Sequence, residues 1–480
     1  MRKLQYLFLA LILLGGFIVR LYRFDGPVAD WHSWRQSDTS AVSRIYIERG
    51  FDLLHPRYYD ISKIQTDKEN PQGYRFVEFP IYNIFQAGLF DLSKSLTLEE
   101  WGRVVSIISS LVSSIFLFLI VKKYFSLNAA LFSAFFFMFL PFSIYFGRAI
   151  LPDEMMVMAS LAGIYFFGLW IEKKPKKSYT NVCLCFLAWL FTASAFLLKP
   201  YALFFTLPML YLVWKEYGFW FLKKWQLWLF LIISLAPLVF WRIWMLQYPQ
   251  GIPFSGWLFN QGNIRFKGSF FYWIFAERIS KLILGYFGLP ILFLGLLKKE
   301  TEKYYLFFLL FLVSSLVYIT VFARGNVQHD YYQILIIPSL AIFMGRGADY
   351  LLSFKIKSTN FITGIFLLST AIIFMLSFSW FYVRDYFNIN NRGMVEAGRM
   401  AKTLIPKDAK IIAPYKGDTT FLNNTEHFGW PVIDRPIEEM INMGASYMVI
   451  ENPTQSDFQG FGKMYKRVAS SSSYLILKLK

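Results

Sequence analysis

LQYLFLALILLGGFIV, residues 4–19, follows Arg2-Lys3 and runs into Arg20, Tyr22 and Arg23. A basic front before an apolar centre is shared by secretory signals and first membrane spans. This stretch has no small-x-small cleavage site, and it closes on the Arg/Tyr pattern of a helix reaching an interface. It reads as an uncleaved first spanning helix. Ten further apolar runs follow near 103–121, 127–146, 155–171, 181–198, 201–214, 226–246, 279–297, 304–323, 331–348 and 360–382. Together they make about eleven transmembrane helices, close to the ~20 residues that a bilayer crossing takes. Composition agrees. With 56% hydrophobic and 20% aromatic residues and a mean hydropathy of +0.41, the chain has more apolar surface than a water-soluble fold can hide. The expected fold class is a polytopic all-α membrane protein.

Charge supplies the orientation. The net charge of +18 sits mostly in short loops, where it sets topology rather than binding a nucleic acid. With the N-terminus cytoplasmic, the inside loops carry Lys122-Lys123, Lys173-Lys174 with Lys176-Lys177, Lys223-Lys224, Lys298-Lys299 with Lys303, and Lys355 with Lys357. All five clusters fall on one side, which a wrong helix count would scramble. The expected location is the plasma or inner membrane. Cys183 and Cys185, two apart in one apolar helix, point to different sides and read as packing residues.

Three outer segments are too long for turns. The first, about 23–100, contains stretches such as Thr39–Arg49 and Ile81–Leu92 that read as interfacial helices. The second, 247–277, is rich in Gly, Phe and Trp. Beyond Arg384 the pattern changes: helical spacing over Met394, Ala397, Met400, Ala401 and Leu404 alternates with strand-like Lys410–Pro414, Tyr447–Ile450 and Tyr474–Leu479. The expected division is a transmembrane domain over 1–383, including the first outer loop, and a small extracytoplasmic α/β domain over 384–480. Mid-helix positions are nearly free of ionisable residues, which argues against an ion-coupled transporter.

The outer loops hold the residues that could carry chemistry. Asp30-Trp31-His32-Ser33-Trp34-Arg35-Gln36-Ser37-Asp38-Thr39 packs two acids, an arginine, a histidine and two tryptophans together. Asp38 is the best candidate base, Arg35 a partner for phosphate or carboxylate, and Trp34 a platform for sugar or lipid; the bland alternative is an interfacial aromatic stretch with an ion pair. Glu78, in an apolar setting, is costly unless paired or used, although a helix start would also favour it. Pro152-Asp153-Glu154 is an ordinary helix start that leaves Arg148 unexplained. Lys199 stands on the outer side, against the charge bias, where it would either bind a lipid phosphate or snorkel. His329 lies beside Asp330, Tyr331 and Tyr332, and could shuttle a proton or face a phosphate.

Trp34-Arg35-Gln36-Ser37-Asp38-Thr39, Glu78-Phe79-Pro80, Arg148 with Pro152-Asp153, Lys199-Pro200 and His329-Asp330-Tyr331-Tyr332 together resemble the GT-C superfamily of polyprenyl-phosphate-sugar-dependent glycosyltransferases. The bacterial protein O-mannosyltransferase and aminoarabinose-transferase group (glycosyltransferase family 39-like) is the nearest in pattern. The resemblance covers nearly the whole chain. It implies a GT-C fold and an inverting transfer of a hexosyl or pentosyl group from a polyprenyl-phosphate donor. The acceptor, on the extracytoplasmic face, would be an envelope glycan, lipid A or lipopolysaccharide, or protein. By this resemblance Asp38 is the first-loop catalytic aspartate, with Glu78 supporting it. Arg148 and Lys199 are candidates for holding the lipid phosphate; Arg35 and His329 are further donor-phosphate candidates, and Trp34, Asp153, Glu154, Tyr331 and Tyr332 would line the substrate. Many relatives carry an Asp-Glu pair where this chain has Asp38-Thr39, so the second acid that could serve a divalent metal is replaced by a hydroxyl. Rival expectations are a transporter or flippase of lipid-linked substrates, which would tolerate changes at Asp38 and Glu78, and an envelope-assembly scaffold, whose function would reside beyond Arg384.

Overall fold

The structure, a computed structural model, describes residues 2–173, 179–297, 302–353 and 361–480. Seven lysines of the predicted inner clusters (Lys174, Lys176, Lys177, Lys298, Lys299, Lys355 and Lys357) lie outside the described residues. The apolar runs fold as helices. In chain order the first ten helices are α1 (Arg2–Arg20), α2 (Ser33–Arg49), α3 (Ile81–Leu92), α4 (Leu98–Tyr124), α5 (Leu127–Phe139), α6 (Pro141–Phe146), α7 (Pro152–Glu172), α8 (Tyr179–Leu198), α9 (Leu207–Tyr217) and α10 (Trp225–Met245). Six described helices are long and apolar enough to cross a membrane; a bent pair, Gly268–Ile283 with Gly288–Gly295 at 110°, makes seven if it counts as one span. Three shorter apolar helices, Leu4–Arg20, Leu127–Phe139 and Tyr305–Val321, add to these. The run expected at 201–214 is divided into a 3₁₀ turn, Pro200–Thr206, and α9, with Pro208 at the start of α9. A proline in the first turn loses no helical hydrogen bond, so it marks a beginning rather than an interior. Both cysteines are free thiols.

The chain folds into two compact units, each assembled from three separate segments. The first comprises Met1–Phe24, Val104–Phe240 and Ser255–Asp385, and holds most of the apolar helices. A close approach joins Gly288–Gly295 to the helix Ile337–Ser353. A Cβ at Gly347 would stand 1.8 Å from the Ile291 carbonyl, and one at Gly295 1.7 Å from the Phe343 carbonyl. Among apolar helices such small residues let backbones touch where no hydrophobic force drives them together. Arg346, beside Gly347, is wholly buried. It donates to the Gly295 carbonyl at 2.9 Å and pairs with Glu302.

The second unit comprises Asp25–Arg103, Trp241–Phe254 and Tyr386–Lys480. Its five strands, β1 (Lys410–Ile412), β2 (Gly429–Trp430), β3 (Ala445–Glu451), β4 (Lys466–Ser470) and β5 (Tyr474–Lys478), form one sheet in the order β2-β1-β3-β5-β4. The β1 strand pairs in parallel with β2 and β3; β5 runs antiparallel to β3 and β4. Met394, Ala397 and Ala401, from the helix Arg392–Leu404, share a core with Ile411, Val449 and Ile476 of the sheet. The first outer loop contributes to the same core through Ala41, Val42, Ile45, Tyr58 and Tyr59. It also extends the sheet edge: Ile61 N donates to Gly429 O at 3.0 Å and Gly429 N to Tyr59 O at 2.9 Å. Thr39–Arg49 is part of a longer helix whose buried side is largely polar rather than the apolar face of an amphipathic stretch. The helix begins at Ser33, and its polar residues Ser37, Asp38, Thr39, Ser40 and Ser43 are buried. Its polar groups find partners inside the unit, as in Ser43 Oγ donating to Gln86 Oε1 at 2.8 Å and Asn83 Nδ2 to Thr39 O at 2.7 Å.

Candidate active-site groups

In the second unit the predicted acids gather around α2. Asp38 lies one turn into the helix and is 1% exposed. A buried carboxylate must be matched by charge and by hydrogen bonds. Arg75 supplies the charge, its guanidinium 2.5 Å from Asp38 Oδ2, and Thr419 donates its hydroxyl to Oδ1 at 2.6 Å. Each carboxylate oxygen keeps a lone pair for one more donor. One turn before Asp38, Arg35 pairs with Glu78 and donates to Thr39 Oγ1 at 3.2 Å. Arg35 thus spends its charge on an acid of the same group. Glu78, just before α3, is paired rather than a helix cap. The half-buried Trp34 contributes its backbone carbonyl, which accepts from Thr419 at 3.4 Å. Arg35, Asp38, Arg75, Glu78 and Asn83 line a small cleft.

Three members of this group have no counterpart among the sequence candidates. Arg75 stands three residues before Glu78 in an otherwise apolar segment, and that spacing is a usable signal. Thr419 lies 381 residues from Asp38 and offers none. Asp60 is fully buried; its carboxylate accepts from Ser62 N at 2.8 Å and from the Tyr58 hydroxyl at 3.3 Å. Burial, reinforced by the charge of Asp38, pushes its pKa up to about 7, while the Ser62 bond and the Arg75 charge oppose the rise. Burial also raises Asp418, which donors from Thr420 partly offset.

The first unit gathers a cationic and aromatic group. Lys199 follows the last turn of α8, and its buried ammonium lies 3.3 Å from Asp153 Oδ2. It also lies 5.9 Å from the Tyr201 ring centre and 5.8 Å from that of Tyr331. Asp153 and Glu154 occupy the first turn of α7, where the helix dipole favours acids, so the helix-start reading holds alongside the ion pair. Tyr331 and Tyr332 lie 4.7 Å apart, and the His329 ring sits 5.7 Å and 6.2 Å from theirs and 5.6 Å from Trp257. Arg148 donates to the Arg23 carbonyl at 2.8 Å and lies over the Tyr145 ring. Two further cations of this unit are not among the sequence candidates. Arg20 donates to Gly16, Met138 and Ser143 carbonyls, and its charge acts on Glu154. Arg278 lies 3.6 Å from Asp330.

Chemically, the first group can hold an anionic oxygen in a fixed direction, and the second can receive an anion beside aromatic faces. Among the described residues no group of three or more His, Cys, Asp or Glu side chains is placed to hold a metal ion. The donor set at Asp38 does not fit a divalent cation. The carboxylate already faces a guanidinium, and the Thr39 hydroxyl is engaged with Arg35.

Comparison with known proteins adds an independent line. Residues 79–244 match the family model described as dolichyl-phosphate-mannose-protein mannosyltransferase. The whole chain is similar in structure to ArnT from Cupriavidus metallidurans bound to undecaprenyl phosphate, with a TM-score of 0.66 at 13% identity, covering 98% of this chain and 97% of that one. The fold is GT-C-like. The apo form of the same ArnT matches with a TM-score of 0.64. The Archaeoglobus fulgidus oligosaccharyltransferase, solved with Zn and sulfate, matches with 0.55 at 9% identity, covering 94% of this chain and 69% of that one. No curated protein matches in sequence. The resemblance carried by the outer-loop motifs is therefore met by a GT-C-like fold over nearly the full chain. Apolar helices and fold together make this a multi-pass membrane protein.

Proposed function

We propose that the chain is an integral membrane glycosyltransferase that moves a sugar from a polyprenyl-phosphate donor to an acceptor on the extracytoplasmic face, with inversion at the anomeric carbon. The observation that carries this reading is the end-to-end likeness to ArnT, whose solved structure holds undecaprenyl phosphate. The family-model match over 79–244 supports it from sequence. In this reading the chain crosses the membrane about eleven times, with a cytoplasmic N-terminus, and its 384–480 segment helps to choose the acceptor. Asp38 accepts the hydrogen bond of the incoming hydroxyl and directs its oxygen. It takes up the proton as the new glycosidic bond forms and the anomeric C–O bond to phosphate breaks. The polyprenyl phosphate leaves with that electron pair, and Lys199 and Arg148 stabilise its charge. Glu78 keeps Arg35 in place beside the acid. No step passes through a metal.

The acceptor is an envelope glycan, a lipid or a protein. Purified protein incubated with a panel of polyprenyl-phosphate sugars is expected to release polyprenyl phosphate only when an acceptor is present, and envelope mass spectrometry of cells lacking the chain is expected to show one missing sugar. Movement of intact donor across vesicles without its consumption would refute the enzyme reading in favour of a flippase.

A further inference from the structure

Asp38 and Asp60 are buried acids of the same unit with opposite provisions. Asp38 has a guanidinium on one oxygen and a hydroxyl on the other. Asp60 has two neutral donors, Ser62 N–H and the Tyr58 hydroxyl, and no cation within ion-pair distance among the described residues. Yet it is not isolated from charge. The Arg75 guanidinium lies over the Tyr58 ring, 5.0 Å from its centre, while its end nitrogen holds Asp38, and the charges of both Asp38 and Arg75 act on Asp60. One arginine is thus paired with Asp38 and packed on the Tyr58 ring whose hydroxyl donates to Asp60, and its charge acts on that second acid as well. The groups acting on Asp60 are Asp38 from α2, Arg75 from the segment before α3, and Tyr58 and Ser62 beside it; the neighbouring β2 strand contributes only backbone, at Gly429. Asp60 does not line the cleft that Asp38 and Arg75 face, so it reaches that cleft only through them.

We propose that Asp60 is a positioning residue for Asp38, acting through Arg75, whose charge the two carboxylates share. The proposal rests on the transfer reaction proposed above. A neutral Asp60 leaves the whole guanidinium to Asp38 and holds that carboxylate back. An anionic Asp60 draws on the same cation, weakens its hold, and leaves Asp38 to the acceptor hydroxyl. Because burial sets the proton loss of Asp60 at about 7, the exchange falls near neutrality, and transfer rises as pH climbs through it.

The test uses purified full-length protein as wild type, Asp60→Asn and Asp38→Asn, with two readouts. In transfer assays the wild-type kcat is expected to rise with pH through about 7. In Asp60→Asn that limb is expected to vanish, with donor KM unchanged. Because Asn keeps the neutral form, kcat is expected to stay at the wild type's low-pH level throughout. A retained limb, or a folded Asp60→Asn protein whose kcat falls below that low-pH level or matches the wild type's high-pH level, would overturn the proposal. The second readout needs no substrate: the infrared band of a protonated carboxyl. Its Asp60 component, read as the difference between wild type and Asp60→Asn, is expected to titrate near neutrality and to move to lower pH in Asp38→Asn, where the repelling charge is gone. A band that stays in place in Asp38→Asn would also overturn the proposal. If the wild type transfers no sugar, the proposed function fails, and the infrared titration alone decides whether the two acids are coupled.

Discussion

The acid group around Asp38 and the cation group around Lys199 solve opposite problems. Asp38 is a buried anion satisfied twice within its own unit, by Arg75 at 2.5 Å and Thr419 at 2.6 Å. Lys199 is a buried cation with a single carboxylate at the longer distance of 3.3 Å and tyrosine rings beyond it. The first arrangement fixes a direction; the second leaves a positive charge partly uncommitted. A displacement at a lipid phosphate asks for both, an oriented acceptor and a sink for the leaving charge. In the proposed reaction the two groups would have different roles, which substitutions can break separately.

The largest effect is expected at Arg75. Replacing it by Ala strands the Asp38 carboxylate in a buried site, at a stability loss of about 3–5 kcal/mol, read as a lowered melting midpoint together with lost transfer. Arg75→Lys is expected to recover part of both. A normal midpoint in Arg75→Ala would show that Asp38 does not depend on its partner. Lys199→Ala comes next: transfer efficiency is expected to fall about 10²-fold, and the melting midpoint to fall by less than in Arg75→Ala, because the helix start offsets part of the cost of leaving the buried Asp153 without its cation. Lys199→Arg is expected to keep most of the activity, and an unaffected Ala variant would remove the phosphate role.

Smaller effects sharpen the account of the acid side. Asp60 ionises near 7 when folded but near 3.8 as an ordinary aspartate. A carboxyl raised in this way costs the folded state stability as pH rises from about 3.8 through about 7, the range in which the unfolded chain has already lost the proton. Stability is therefore expected to fall by about 1 kcal/mol between pH 6 and pH 8, and by less in Asp60→Asn; equal slopes in both proteins would contradict the assignment. Of similar size is Thr419→Val, which removes one hydrogen bond to a charged group while Arg75 stays, expected at about 1 kcal/mol by denaturant titration.

Much of the fold is legible in the sequence because its signal is local. Apolar runs and the interrupting lysines are read residue by residue, and the described part of each run is largely helical in the structure, with a bend inside 279–297. Three of the five strands show as short β-rich stretches. The β2 strand has only two residues, and β4, Lys466-Arg467-Val468-Ala469-Ser470, is polar and largely exposed, so neither carries an apolar pattern. The α2 helix departs from its sequence reading for a related reason. Its buried face is polar, and burial of Ser, Thr and Asp depends on partners from Gln86, Asn83 and Arg75 that no periodicity announces. The site follows the same rule. Glu78 and Lys199 stand out as charges in unfavourable places and Asp38 as part of a crowded acid, arginine and tryptophan motif, whereas Thr419 and Asp60 matter only through folding that brings distant segments to α2.

The most direct measurement is single-turnover consumption of a polyprenyl-phosphate sugar by the purified protein, wild type against Asp38→Asn, with donor binding measured in parallel. The wild type is expected to convert donor to polyprenyl phosphate and glycosylated acceptor. Asp38→Asn is expected to bind donor with unchanged affinity while turnover falls by about 10²–10⁴-fold. Undiminished turnover in Asp38→Asn, or bound donor that the wild type never consumes, would contradict the account.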